Sequence, residues 1–149
     1  MAIARGAGTE IIRCHQFESM DSTDRTVIFG VQHHIYTVLS IIIYAKIIQA
    51  AGNYAAVDLH GYDITGGTTA QVIGIFRQDM QLNQTFVWND KFSFNGHEPV
   101  DFTDNIDSIV KQDAIADQGS AVPQKLVMNA ENASDAFELT CTFIDQNNS

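Results

Sequence analysis

The chain has 149 residues and a formal net charge of −10, from 18 acidic residues against 8 lysines and arginines. This length suits one domain that buries a core without disulfides or metals. The negative charge disfavours phosphate backbones and anionic lipid, so we expect neither nucleic acid nor a membrane as a partner. The most apolar window, residues 38–48, contains Lys46 and is too short to span a bilayer, which predicts a protein that is cytoplasmic at synthesis.

The first ten residues, MAIARGAGTE, combine small side chains with two glycines and show no alternation of apolar and polar residues. They predict an N-terminal arm, residues 1–10, ahead of a single domain, residues 11–149. Such arms commonly become ordered against a neighbouring chain by pairing with the edge of a sheet; the alternative is a disordered tail. We expect partner contacts from four residues of this arm, Ala2, Ile3, Ala4 and Arg5.

Strand patterns dominate the rest of the chain. The clearest runs from residue 135 to 145, where Phe137, Leu139, Cys141 and Phe143 alternate with polar residues. Further runs rich in β-branched and aromatic residues cover 10–18, 25–31, 34–48, 53–63, 70–80 and 125–130. Together they predict an all-β protein, an antiparallel β-sandwich of jelly-roll type. The runs at residues 125–130 and 135–145 flank the turn ENAS and predict a two-strand hairpin.

Residues 34–48, HIYTVLSIIIYAKII, form an almost continuous apolar run that is also compatible with a buried helix. The high content of β-branched residues and the lack of a capping residue favour a strand. We expect one long strand, bent near Ser40.

The stretch TFVWNDKFSFNG, residues 85–96, holds the only tryptophan of the chain and three phenylalanines. In an extended chain Phe86 and Trp88 share one face, and Phe92 and Phe94 share one face of the next segment. A turn or bulge is expected between the two segments, because Asn and Asp tolerate left-handed backbone. The aromatic rings either pack in the core or form an exposed recognition platform. We expect core packing, since the acidic charge disfavours base stacking.

Residues 97–124 break the strand pattern with five aspartates, one glutamate and both prolines of the chain. Four residues lie near helical spacing: Ile106, Ile109, Val110 and Ile115. The segment is therefore a helical insertion or a long surface excursion. The aspartates are spaced more sparsely than the ligands of a calcium loop, which favours a solvated acidic face. We expect partner contacts from this insertion, through Asp101, Phe102, Asp104 and Asp107.

No enzyme motif stands out. The sequence lacks the serine elbow G-x-S-x-G, the lysine-containing phosphate loop and the dinucleotide turn, and we expect no catalytic residue, cofactor or metal. The adjacent His33 and His34 are the best metal candidates, but neighbouring strand residues point to opposite faces. We expect one of them to be half-buried and the other to face water. Cys14 and Cys141 form no metal signature, and we expect free, partly buried thiols.

The succession of strands over residues 30–145 resembles a class of small β-sandwich proteins of tailed bacteriophages, many of them from marine and cyanobacterial hosts. The resemblance rests on the segments HIYTVLSIIIYAK, AAVDLHGYD, QVIGIFRQDMQLNQTFVWNDKFSFNG and DAFELTCTFID. The acidic insertion, residues 97–124, departs from the compact pattern of this class.

This resemblance implies a non-enzymatic virion protein, assembled in the host cytoplasm, such as a capsid decoration or cement protein. It implies a homotrimer, or repeated copies on a lattice, bound to the major capsid protein or to other virion proteins. The alternatives are a neck or tail accessory protein and, from another class, a small carbohydrate-binding jelly roll used in host recognition.

Overall fold

The computed structural model describes residues 6, 8–62, 71–97, 107–110 and 123–148, and these form nine strands. The strands are β1 (Thr9–Met20), β2 (Arg25–Phe29), β3 (His34–Ile47), β4 (Tyr54–Tyr62), β5 (Gln71–Asp79), β6 (Thr85–Trp88), β7 (Phe92–Asn95), β8 (Lys125–Ala130) and β9 (Ala136–Asn147). The prediction of an all-β protein is confirmed. Within the described residues, no helix has the length and hydropathy of a membrane span.

The strands form two antiparallel sheets packed face to face. Sheet A has the order β1-β9-β3-β6, with β7 also beside β3, and sheet B has the order β2-β8-β4-β5. β6 and β7 pair with successive parts of β3, residues 41–44 and 35–38, and so act as one interrupted strand. When β6 and β7 are counted as one strand, the pairs are nested: β1 pairs with β9, β2 with β8, β3 with β6 and β7, and β4 with β5. This rolled hairpin is a jelly roll, as predicted.

The core lies between the two sheets and follows the two-residue period of the strands. On β9 the inward residues Phe137, Leu139, Cys141 and Phe143 are at most 1% exposed. Leu126 of β8 belongs to the same core cluster and comes from sheet B. Apolar side chains that are far apart in sequence are thereby buried together. Burial of apolar surface is the main favourable contribution to the free energy of folding.

Residues 34–48 form a strand rather than a helix, as predicted. β3 pairs with β9 on one side and with β6 and β7 on the other, and its register with β9 shifts between Val38 and Ser40. This irregularity lies at the predicted bend.

The aromatic stretch belongs to the core, as predicted. Phe94 is buried, and Phe86, Trp88 and Phe92 are partly buried against the core cluster. Phe76 of sheet B stacks on Trp88 with ring centroids 5.0 Å apart, so the rings bridge the two sheets. The residues between β6 and β7 do not reverse the chain, because both strands run antiparallel to β3. Of the two predicted alternatives, a turn or a bulge, residues 89–91 therefore correspond to the bulge, because they interrupt one strand without reversing it.

The predicted hairpin between residues 125–130 and 135–145 is wrong. β8 lies in sheet B between β2 and β4, whereas β9 lies in sheet A between β1 and β3. The connection crosses between the sheets and is fixed by Asp135, which is 4% exposed. Its carboxylate accepts hydrogen bonds from the backbone N–H groups of Gln49 and Asn132 and from the side-chain amide of Asn53. Alternation identifies both segments as strands but does not specify the strand with which each one pairs.

The acidic insertion leaves and rejoins the sandwich at one point. His97 and Pro123 form an isolated antiparallel bridge. The Gln124 N–H donates to the Gly96 carbonyl, and the Gly30 N–H donates to the Gln124 carbonyl, each over 2.8 Å. These backbones lie so close together that a Cβ on Gly30 would overlap the carbonyl oxygens of Gly96 and Gln124. Only glycine fits this crossing.

We expect Gly30→Ala to lower the free energy of unfolding by about 3 kcal/mol, because the added methyl group must displace backbone rather than a flexible side chain. The matched control is Gly74→Ala on β5, where an added Cβ would lie 3.7 Å from the nearest atom, Asp58 Oδ1. Urea unfolding of the two variants measures the difference. Equal unfolding midpoints would contradict the close approach.

The two cysteines are free, as predicted, and lie on opposite faces of sheet A. Cys14 pairs in register with Thr142 and is exposed, so the expectation that it is partly buried is wrong. Cys141 is paired with His15 and is buried in the core. Burial, with a smaller contribution from Cys14, raises the pKa of the Cys141 thiol to about 12.

Only one thiol of the folded chain should therefore react with a thiol reagent such as DTNB at mildly alkaline pH and micromolar dilution. Cys141 stays protonated there, because its raised pKa lies far above that pH, and its sulfur is shielded from the reagent. The second thiol should react only after unfolding in denaturant. Cys14→Ser should abolish the fast reaction, and two fast thiols in the native protein would refute the assignment.

Candidate functional site

The residues predicted to contact partners lie mainly outside the described residues. This holds for Ala2, Ile3, Ala4, Arg5, Asp101, Phe102 and Asp104, and for most of the segment predicted as a helix. Asp107 is described and exposed. β1 begins at Thr9, so Thr9 and Glu10 of the segment assigned to the arm pair with β9. The structure thus shows where the N-terminal arm and the acidic insertion join the sandwich.

Both segments begin at the same end of the sandwich. Thr9 pairs with Asn147 of β9, and Asn147 pairs with His34 of β3. The His34 carbonyl accepts a hydrogen bond from the Gly96 N–H over 2.8 Å, and the insertion starts directly after Gly96. We call the end of the sandwich that is formed by Thr9, His34, Gly96 and Asn147 the arm end. The arm and the insertion both join the sandwich there.

A cleft of about 230 Å³ opens between the edge strands β1 and β2. The residues that line it are Arg13, His15, Ile28, Phe29, Val31, Tyr36, Phe143 and Asp145. Arg13 and His15 reach the cleft because they pair with Phe143 and Cys141 and so share the inward side of sheet A. Phe29 and Val31 are 59% and 48% exposed and form an apolar rim.

A buried carboxylate lies in this cleft. Asp145 continues the inward row of β9 and is 5% exposed. Its Oδ1 accepts a hydrogen bond from His34 Nδ1 over 2.7 Å, and its Oδ2 accepts one from Arg13 Nε over 3.2 Å. A buried charge is costly unless it is paired and hydrogen-bonded, and here both oxygens have partners. The cluster joins three neighbouring strands, β1, β9 and β3.

The other polar groups of the cleft also hold strands together. His15 Nδ1 lies 2.6 Å from the Val27 carbonyl oxygen and must donate, since a carbonyl only accepts. This bond connects β1 to β2 across the open edge. The Tyr36 hydroxyl accepts the Val31 N–H over 3.1 Å. These polar contacts connect neighbouring segments at the edge, and the exposed apolar rim of Phe29 and Val31 lies beside them.

His33 and His34 have the predicted arrangement. His33 is exposed, with φ at 65°, and His34 is half-buried against Asp145. In the part of the chain that the structure describes, no three His, Cys, Asp or Glu residues are grouped so that they could hold a metal ion. His34, the first residue of β3, instead donates its Nδ1–H to the Asp145 carboxylate.

Sequence reasoning missed Asp145, although a signal for it exists. The alternation that places Phe137, Leu139, Cys141 and Phe143 inward also points the next odd residue inward, and that residue is Asp145. Because a buried carboxylate is costly without hydrogen-bond or charged partners, this position alone predicts that Asp145 has such partners. The identity of those partners depends on β1 and β3 flanking β9, which no local pattern reveals.

We expect Asp145→Ala to lower the free energy of unfolding by about 2 kcal/mol, because it leaves His34 and Arg13 without their acceptor. The control on the same strand is Glu138→Ala. Glu138 meets Lys46 over 3.6 Å with both side chains 37% exposed, so its loss should cost less than about 1 kcal/mol. Chemical unfolding measures both, and equal losses would argue against a role for Asp145 in holding β1.

No family model and no curated protein matches the sequence. Among solved structures, a chain of the T13 IBDV viral particle aligns with 99% of this chain at a TM-score of 0.50 and 9% identity. This chain spans 33% of that one. A protein of Bacillus endospore appendages, described as disulfide-linked pili, aligns over 100% of this chain and 97% of its own at a TM-score of 0.40 and 12% identity. The first likeness extends to the fold alone, and the second is too distant to support an argument.

Proposed function

We propose that the protein is a non-enzymatic structural component of a virion, a decoration or cement protein on the head of a tailed bacteriophage. The observation that carries the proposal is the arm end. The N-terminal arm and the acidic insertion both extend from it, next to the cleft rigidified by Asp145. A rigid body that offers two partner segments from one end is suited to attachment at a junction of a protein lattice.

The jelly roll supports the same proposal. This fold recurs in the shells of viruses, where its two packed sheets provide a stiff body. The IBDV particle contains a chain whose sandwich is similar to this one. We propose the major capsid protein as the partner of the arm end, with the copies arranged as trimers in the virion.

A neck or tail accessory protein would use the arm end in the same way and differs only in its position on the particle. A carbohydrate-binding jelly roll would need exposed aromatic rings. The aromatic stretch turns its rings into the core, with Phe76 stacked on Trp88. Phe29 at the rim of the cleft is exposed, but the carboxylate of this cleft, Asp145, is already paired with His34 and Arg13.

Deleting residues 1–5 should weaken binding to capsids at least tenfold while leaving the fold intact, because β1 begins at Thr9 and its pairing with β9 is retained. The measurement is cosedimentation with capsids assembled from the major capsid protein of the same genome, together with a thermal melt of the free protein.

The matched control is Leu82→Ser, a change of a residue that is 58% exposed and lies in the turn beside the far end of β3. It should bind as the full chain does. If the truncated protein cosediments as well as the full chain, the arm is only a tail. If neither form cosediments with any particle from that genome, the virion proposal itself fails.

A further inference from the structure

The two outward faces of the sandwich differ in charge. On sheet B, Asp58, Arg77 and Lys125 occupy outward positions, since they alternate with inward Val57 and Leu126. On sheet A, three consecutive cross-strand rows contain no charged residue. The rows are Ile12–Ile144–Thr37–Ser93, Cys14–Thr142–Ser40 and Gln16–Thr140–Ile42–Val87. We call these residues the neutral face.

The neutral face combines exposed apolar side chains with small hydroxyl groups. Ile12 is 70% exposed, Val87 is 52% exposed and Ile42 is 39% exposed. Ile42 lies opposite Val87 in the register, and Ile12 lies opposite Ile144, so the apolar side chains form adjacent pairs. Glu10 lies beyond the three rows at one end, and the Lys46–Glu138 pair lies beyond them at the other. Asp90 and Lys91, in the interruption between β6 and β7, lie at the side of the middle row.

We propose that the neutral face packs against the neutral face of a second copy of this chain. A second copy is the occupant proposed because the chain carries a net charge of −10, which makes copies repel each other in general. Two neutral faces meet without like-charge repulsion. A basic partner would find no acid on these rows to pair with. This inference goes beyond the proposed function and does not depend on it, because it concerns the isolated protein.

The size of the face fits a weak dimer. Four strands at the usual spacing are about 19 Å wide, and the three uncharged rows extend for about 20 Å along the strands. Two such faces bury about 760 Å² in total, which is below the usual size of a stable interface and fits a weak, transient contact. Packed sheets interdigitate their side chains at a separation of about 10 Å, and a mixture of Ile or Val with Ser or Thr permits this. The contact is two-fold and therefore distinct from a trimer contact.

The test is sedimentation equilibrium of the full chain between about 1 µM and about 100 µM. The expected result is a rise in mass from one chain to two. Ile12→Glu and Thr140→Glu each place a charge on the face and should weaken association at least tenfold. The matched control is Val72→Glu on sheet B, where the side chain is 58% exposed. This control should associate as the unmodified chain does.

Cys14 provides a second readout, because it is exposed in the middle row of the face. Its reaction with a thiol reagent should slow as the dimer forms, and Ile12→Glu should abolish that protection. Three results would each overturn the proposal: an unmodified chain that stays monomeric throughout, a mass of three chains that both face variants leave unchanged, and dissociation by Val72→Glu equal to that by Ile12→Glu. Circular dichroism of each variant shows that it is folded.

Discussion

The structure depends on the pairing of β9 between β1 and β3. A strand flanked on both sides has its register fixed twice, and a slip of one residue would turn Phe137, Leu139, Cys141 and Phe143 out to water. The same alternation places Asp145 inward in the cleft and Thr140 and Thr142 outward on the neutral face. The core, the cleft and the neutral face therefore all depend on the register of β9. That register is maintained because exposing the aromatic and aliphatic side chains of β9 to water costs free energy.

The distribution of charge follows the architecture. The acidic residues concentrate in the second half of the chain, above all in the insertion, which starts at the arm end. The three rows of the neutral face carry none. The single buried carboxylate in the cleft is paired with the Arg13 guanidinium and accepts a hydrogen bond from His34.

Local pattern in the sequence was sufficient to predict what depends on one strand at a time. The alternation in β9, the β-branched run of β3 and the inward rings of residues 85–96 all follow from a period of two residues and the propensities of the side chains. The pairing of β8 was not predictable in this way, because the turn ENAS is equally compatible with a hairpin and with a crossing between sheets. The neutral face combines residues from five strands, so it exists only once the register is known. The requirement for glycine at positions 30 and 96 was also not predictable from local pattern. It arises because segments that are distant in sequence approach each other too closely there for a Cβ atom to fit.

The bridge between His97 and Pro123 has a consequence for how this protein can change over generations. Because the two ends of the insertion are joined before residues 98–122 begin, the sandwich does not depend on how long that stretch is. The entropic cost of closing a flexible loop rises only with the logarithm of its length, by about 0.6 kcal/mol for each doubling. A lineage can therefore exchange the stretch for another as its partner diverges, and an engineer can replace it with a foreign peptide for display. Any replacement would have to keep the junction formed by Gly30, Gly96 and Gln124, because their backbones are hydrogen-bonded at close approach.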